Sequence, residues 1–471
     1  MKKFLFVLAL VLCLGFSAFA LDGEGTEESP FIIECEEELA LLHDFPDCNY
    51  KLNCDIYLEE IWIPVGSMGE VFSGVFDGNG YTVYDFAINR MTGNCGFLTV
   101  NEGVVKNLTI ITTENGISFD FYNSSDASTT LGIICGSNNG TITNCVTKGK
   151  IDLFASSYNT HQQKYASGMY GDQYKTVVDH ITVNAGAVAG NNNSNGIINN
   201  CYTLVDFSMK GRSTGSSSAA HSLNAGGIVV TNNGTITNCF VTVSQTMSTS
   251  SSRNCYGIAS GNGKIENCFA LGSFPENITK AYGIGSGTIT NCYAAVKGST
   301  AGIGTGTITN CFYDKEITGL SSTETGTPKS TMAMKIKKTY TNASWDFDNV
   351  WNISSSVNGG YPYLRFMKPE IEIKTDVLTS STINEFEGKL AFNINRKNNA
   401  TNKLIYIALY DENGALVRFF WVPNYTTRTN IIVITDNYSN AESAKIFVWE
   451  NTESIKPLAD CEEVQIVRNE A

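Results

Sequence analysis

Histidine, positive charge and long apolar runs are all scarce in this chain. Four histidines are scattered through 471 residues and no Cys-x-x-Cys occurs, so the ligand spacing of a zinc site is missing. Lys and Arg number 32 against 46 Asp and Glu, a formal charge of −14. That deficit argues against nucleic acid and anionic membrane as partners and suits solubility in an extracellular medium. One apolar run, residues 4–16, follows Lys2-Lys3 and ends at Ala18-Phe19-Ala20. This is the layout of a secretory signal peptide over residues 1–20. The run is too short to span a bilayer, and no second long one follows, so no membrane span is expected. Paired carboxylates are missing as well. Glycoside hydrolysis needs two of them about 5–9.5 Å apart, whereas Asp206 and Glu266 read as isolated acids among Thr, Ser and Asn. Asp179 and His180 are adjacent, and adjacent residues on a strand face opposite ways. The chain therefore reads as a non-enzyme, with no catalytic residue, no metal and no cofactor expected.

What is present is a repeat. Gly-Thr-Ile-Thr-Asn-Cys, or a close variant, occupies 140–145, 196–201, 234–239, 263–268, 287–292 and 306–311. A Gly-aliphatic-small string precedes each copy, as in Gly186-Ala187-Val188-Ala189-Gly190, Gly227-Ile228 and Gly302-Ile303. A fixed pair of short strands repeated in this way means a stack of coils, and the expected fold is an all-β, right-handed parallel β-helix. The cysteines at 145, 201, 239, 268, 292 and 311 are separated by 56, 38, 29, 24 and 19 residues. The shortest interval suits one coil of about three short strands, each of roughly five residues. The longer ones add an insertion at a single register, which predicts loops on one face. Side chains alternate along a strand, so Ile142, Ile236, Ile265, Ile289 and Ile308 point inward and the flanking threonines outward. Asn then turns the chain in the left-handed region, and Cys points inward again. Stacked coils hold equivalent Cβ atoms at about 4.8 Å, too far apart and too parallel for disulfides, so the six cysteines should form a column of thiols. Cys35, Cys48 and Cys54 lie close enough in sequence that one bridge among them is plausible, with no preferred pair.

The repeated strings resemble the GLUG-repeat family of secreted bacterial surface proteins, with 185–190 the best single match. Segments 72–83 and 345–365 resemble the first and closing parts of such proteins, so the likeness covers roughly residues 30–366. It implies a β-helix of adhesin-like type and brings no catalytic set. Residues 30–43, with Glu36-Glu37-Glu38-Leu39, are expected to cap the first coil, and 330–366 with Trp345 and Trp351 to close the last. Composition shifts at Lys368-Pro369. Alternating runs at 371–377, 389–394, 404–410, 415–422, 430–434, 444–449 and 464–467 then predict a small Ig-like β-sandwich over 368–471. Asp411-Glu412-Asn413-Gly414 marks a hairpin within it. Part of this region also resembles a C-terminal β-domain of secreted clostridial-type proteins, a likeness that implies no activity.

The expected function is that of a secreted protein, extracellular or held at a cell surface, which binds a glycan or a surface protein. The insertion over 151–184 is the longest and the richest in tyrosine. Tyr158, Tyr165, Tyr170 and Tyr174 are the candidate binding residues, because a tyrosine ring offers a flat apolar face and a polar tip. The insertions at 204–223 and 241–254 are rich in serine and read as loops. A polysaccharide lyase or hydrolase is the alternative, and would need carboxylates converging from separate coils. A purely structural surface or matrix component is the other.

Overall fold

The structure is a computed structural model. It describes residues 22–465 except 68, 90–91, 124–126, 158–159, 169–170, 179–180, 214–221, 249–251, 277, 355–356, 367–377 and most connections between the last seven strands. The expected signal peptide, residues 1–20, and the Asp179-His180 pair lie outside the described residues. The chain divides into two compact units, Met1–Thr331 and Met332–Ala471.

The first unit is a parallel β-solenoid. Four parallel sheets of ten, eleven, six and five strands run its length, with strands stacked in sequence order. We number these sheets 1 to 4. A full coil visits sheets 1, 2, 3 and 4 in turn, as Thr141–Thr143, Val146–Ser157, Ile181–Gly186 and Ala189–Asn192. The next coil repeats the order with Ile197–Asn199, Tyr202–Ser213, Ser222–Gly226 and Val229–Asn232. Full coils thus hold four strands where three were expected. The shortest coils economise by running sheet 4 straight into sheet 1. Gly285–Thr290 is such a strand: Gly285 bridges Ala259 in one sheet and Thr288 pairs with Lys264 in the other.

The repeat explains the coil residue by residue. Ile142, Ile198, Ile236, Ile265, Ile289 and Ile308 stand in unbroken register along sheet 1. The first five are fully buried; Ile308, on the last strand of the sheet, packs partly exposed against the same core. Each buried ring or branched chain of this kind stabilises the fold by about 1.5–3 kcal/mol relative to exposure. The next asparagine turns the corner with a positive φ, 55° at Asn144, 53° at Asn200 and 51° at Asn238. Asparagine visits this left-handed region more readily than other residues with a side chain. The turn asparagines also bond to one another between coils, Asn200 Nδ2 donating to Asn144 Oδ1 at 3.1 Å and Asn144 Nδ2 to Asn107 Oδ1 at 3.2 Å.

At the N-terminal end a short helix, Glu36–Leu39, and a 3-10 turn, Ala40–His43, fall where a cap was expected and bury Leu39 and Leu42. The edge strand of sheet 1, Phe31–Ile33, has its Ile32 N–H bonded to Asp22 O at 2.9 Å, which occupies a donor an open edge would expose.

The second unit begins with an aromatic cluster. Trp345 packs on Tyr340 and Trp351 at ring distances of 4.7 and 4.5 Å, and the Tyr340 hydroxyl donates to Met334 O at 2.6 Å. Seven strands follow in two antiparallel sheets. One holds Leu378–Phe386, Lys389–Arg396 and Asn430–Asp436; the other holds Leu416–Val422, Leu404–Tyr410, Ser443–Trp449 and Glu463–Gln465. The strand number agrees with an Ig-like arrangement, and Leu404–Tyr410 pairs with Leu416–Val422 across the expected hairpin. The fourth strand therefore sits beside the third rather than beside the fifth, unlike the constant-type immunoglobulin order. The first described strand is Leu378–Phe386, rich in Ser and Thr, while the expected 371–377 lies outside the described residues.

Candidate interaction surface

The shrinking cysteine intervals measure the length of strands. Beyond the coil, sheet 2 lengthens into a flange. Ile117–Asn123 pairs with Val146–Ser157, which pairs with Tyr202–Ser213 along its whole length, which pairs with Phe240–Ser248. The flange then tapers to Phe269–Ser273. Sheet 3 supplies the return strands Ala127–Gly132, Ile181–Gly186, Ser222–Gly226 and Ser252–Tyr256. The expected loops at 204–223 and 241–254 are thus largely paired strands, and the expectation is corrected. Their serines and threonines alternate with apolar residues: Val205, Phe207 and Met209 are buried while Asp206 and Lys210 are exposed. Val243, Gln245 and Met247 are buried while Thr242, Ser244 and Thr246 are exposed. That period of two belongs to a strand with one face covered.

Between Val146–Ser157 and Ile181–Gly186 in sequence lies a separate antiparallel strand pair, Thr160–Gly168 with Gly171–Val178. Two of the four candidate tyrosines lie on its backbone. Tyr174 pairs with Lys164, and Tyr165 falls at the register shift between Lys164 and Ala166. Tyr158 and Tyr170 lie outside the described residues.

The outer face of the flange carries paired charge. Lys150 Nζ meets Asp152 Oδ2 at 2.9 Å. Burial works against the Asp152 carboxylate, but hydrogen bonds from Lys150 and Ser208 and the charges of Lys150 and Lys210 outweigh it and hold the carboxyl below its ordinary value. Asp206 stands in register with Lys150 on the adjacent coil, and Glu266 pairs with Lys264 at 2.6 Å. Asp152 and Asp206 sit diagonally on adjacent coils, roughly 8 Å apart by strand spacing and rise. That separation falls within the span of glycosidase carboxylates, but a general acid needs a raised pKa and Asp152 is shifted the other way. Asp77 is a turn carboxylate: it accepts from Asn79 N at 2.8 Å and Asn107 Nδ2 at 3.0 Å.

Inside the coil, Cys145, Cys201, Cys239, Cys268, Cys292 and Cys311 are buried, and every described cysteine is unbridged, Cys35, Cys48 and Cys54 included. Burial pushes the thiols of Cys145, Cys201, Cys239 and Cys292 well up. Each of these sulfurs donates to the carbonyl two residues before it, at 3.1 Å for Cys239 and 3.2 Å for Cys145. Among the described residues, no three His, Cys, Asp or Glu side chains are grouped so as to hold a metal ion.

Two ladders escaped the sequence reading. Asn101, Asn138, Asn192 and Asn232, all fully buried, end successive strands of sheet 4 and bond in series at 2.7, 2.8 and 2.8 Å. Outside sheet 2, Tyr202, Phe240, Phe269 and Tyr293 stack at 4.8, 5.0 and 4.9 Å with rings almost parallel. The signal for both lies in the repeats: an Asn stands one to four residues before the first four copies of the Gly-Thr-Ile-type string, and an aromatic follows five of the six cysteines.

No family model matches the chain. Over 110 residues it is 34% identical to a protein of Evansella cellulosilytica that carries the name "Putative Gly-rich membrane protein". The match covers 21% of this chain and 10% of that protein, so the chain spans about a tenth of the length of the relative it matches. Among the described residues no helix is long and apolar enough to cross a membrane.

Proposed function

We propose that this is a secreted, adhesin-like solenoid of GLUG-repeat type, which binds a glycan or a surface protein at the outside of a cell. The observation that carries this reading is the flange. The coil stack lengthens at one register, and the strand pair holding Tyr165 and Tyr174 falls in sequence between the outgoing strand Val146–Ser157 and the return strand Ile181–Gly186 of that extension. A binding element on a stiff scaffold loses little conformational freedom on contact. The Asp152 carboxyl is held below its ordinary value, the opposite of what a general acid needs, which favours binding over hydrolysis. The name of the Evansella relative, a membrane protein rich in glycine, accords with a place at the cell envelope.

The test is a glycan array and a surface-protein panel, read with the full chain and with a variant in which residues 160–178 are replaced by a short Gly-Ser linker. Loss of the bound signal in the variant, with the solenoid intact by circular dichroism, is the expected result. Binding that survives the replacement would move the site elsewhere, and new reducing ends or unsaturated sugars would make the protein an enzyme.

A further inference from the structure

The interior of the flange holds a group of sulfur atoms that the binding role does not use. Cys255 Sγ lies 3.7 Å from Met247 Sδ, both side chains being buried between sheets 2 and 3. Met209 is the register partner of Met247 on the neighbouring coil, about 4.8 Å away along the stack, and it is fully buried as well. One thiol and two thioethers thus converge from three strands. A second observation points to the same spot. Gln245 precedes Met247 by two residues and so faces the same interior. It is 4% exposed, and neither its Oε1 nor its Nε2 has a hydrogen-bond partner. A buried amide left unpaired is costly, so it calls for a missing occupant. Burial pushes the Cys255 thiol up, and Arg253, two residues before it on the return strand, works against that shift with its positive charge.

We propose that Cys255, Met247 and Met209 form a binding site for one soft monovalent cation of the Cu(I) type. Two thioethers beside one thiolate suit Cu(I); Zn(II) takes thiolate, imidazole or carboxylate rather than thioether, and Mg(II) and Ca(II) take oxygen. Loading releases the Cys255 proton to solvent and forms a sulfur–metal bond, with no change of oxidation state. One thiolate and one monovalent cation cancel, so the loaded site is neutral and tolerates burial. The Gln245 Nε2–H is then free to donate to the thiolate and orient it, the usual work of a neighbour one shell out from a metal. Met247 is the most exposed of the three residues, which makes it the entry side.

The test is anaerobic titration of the full chain with Cu(I) against bicinchoninate, repeated with Ag(I) as a redox-inert probe. The unmodified protein should take up one tight equivalent, and excess Zn(II) should not displace it. Cys255→Ser should lose that equivalent. Met247→Leu keeps the volume of the side chain and so the fold, and should weaken binding tenfold or more. Cys239→Ser, in the coil column, should leave the equivalent in place. Absence of a tight equivalent in the unmodified protein, retention of it in Cys255→Ser, or unchanged affinity in Met247→Leu would each overturn the site.

Discussion

Replacing Asn192 by alanine should cut the solenoid in the middle of its polar spine. Asn192 is fully buried; its Nδ2 donates to Asn232 Oδ1 at 2.8 Å and Gly196 O at 3.1 Å, and its Oδ1 accepts from Asn138 Nδ2 at 2.8 Å. Without it, Asn138 retains a bond to Gly140 O at 3.2 Å, but Asn232 Oδ1 and Gly196 O lose a side-chain donor. A stranded buried acceptor costs about 1–3 kcal/mol, and the small cavity adds to it, for a total of about 3 kcal/mol. Asn144→Gly is the control. Asn144 is exposed and sits at φ 55°, where glycine is at ease, so the change should lie within about 0.5 kcal/mol of zero. The assay is urea unfolding of both variants, with hydrogen exchange of the strands Cys135–Asn138, Ala189–Asn192 and Val229–Asn232. Exchange matters because a stack of coils can lose cooperativity and open locally. Equal midpoints for the two variants, with unchanged protection around Asn192, would refute the reasoning. Asn192→Asp adds a sign: a carboxylate facing Asn232 Oδ1 is disfavoured when charged, so this variant should lose stability as pH rises through its raised pKa.

Cys239→Ser should cost about 1–3 kcal/mol by burying a hydroxyl in a thiol's place, and native protein should protect the whole column from alkylation until it is denatured. Gly186→Ala should cost about 3 kcal/mol in thermal unfolding, because a Cβ there meets the backbone of Ala189 and of Val229 on the next coil. Asp152→Asn should lower stability at neutral pH by less than 1 kcal/mol, the pair with Lys150 being partly exposed. The folded pKa of Asp152 is depressed, so its contribution is present above the unfolded carboxylate value and fades as pH falls through the lower one. The difference between the two proteins should vanish in acid.

The coil was legible because each of its residues has one physical job. Ile142 and its equivalents alternate with threonine, Asn144 supplies a positive φ, and Cys145 is small and apolar, so local preference and global packing agree. The flange was not legible. A strand such as Phe240–Ser248, rich in Ser and Thr, has the composition of a linker, and only its partners in Tyr202–Ser213 reveal it as a sheet. The buried asparagine ladder was hidden for a related reason: Asn138, Asn192 and Asn232 each sit beside another asparagine, where turn chemistry is the first reading. Their inward direction depends on the coil above and below. Of the candidate site, the sequence located the tyrosine-rich segment but not its hairpin, whose antiparallel pairing departs from the parallel order around it.

Hydrogen exchange across the flange tests the account most directly, because the proposed surface depends on sheets 2 and 3 extending as paired strands. Amides of Ile117–Asn123, Val146–Ser157, Tyr202–Ser213 and Phe240–Ser248 are predicted to exchange far more slowly than unstructured peptide, with residues 151–157 and 202–210, paired on both sides, among the slowest. Exchange at the intrinsic rate from residue 151 to 157 and from 207 to 213 would mean loops, and would contradict both the flange and the surface built on it.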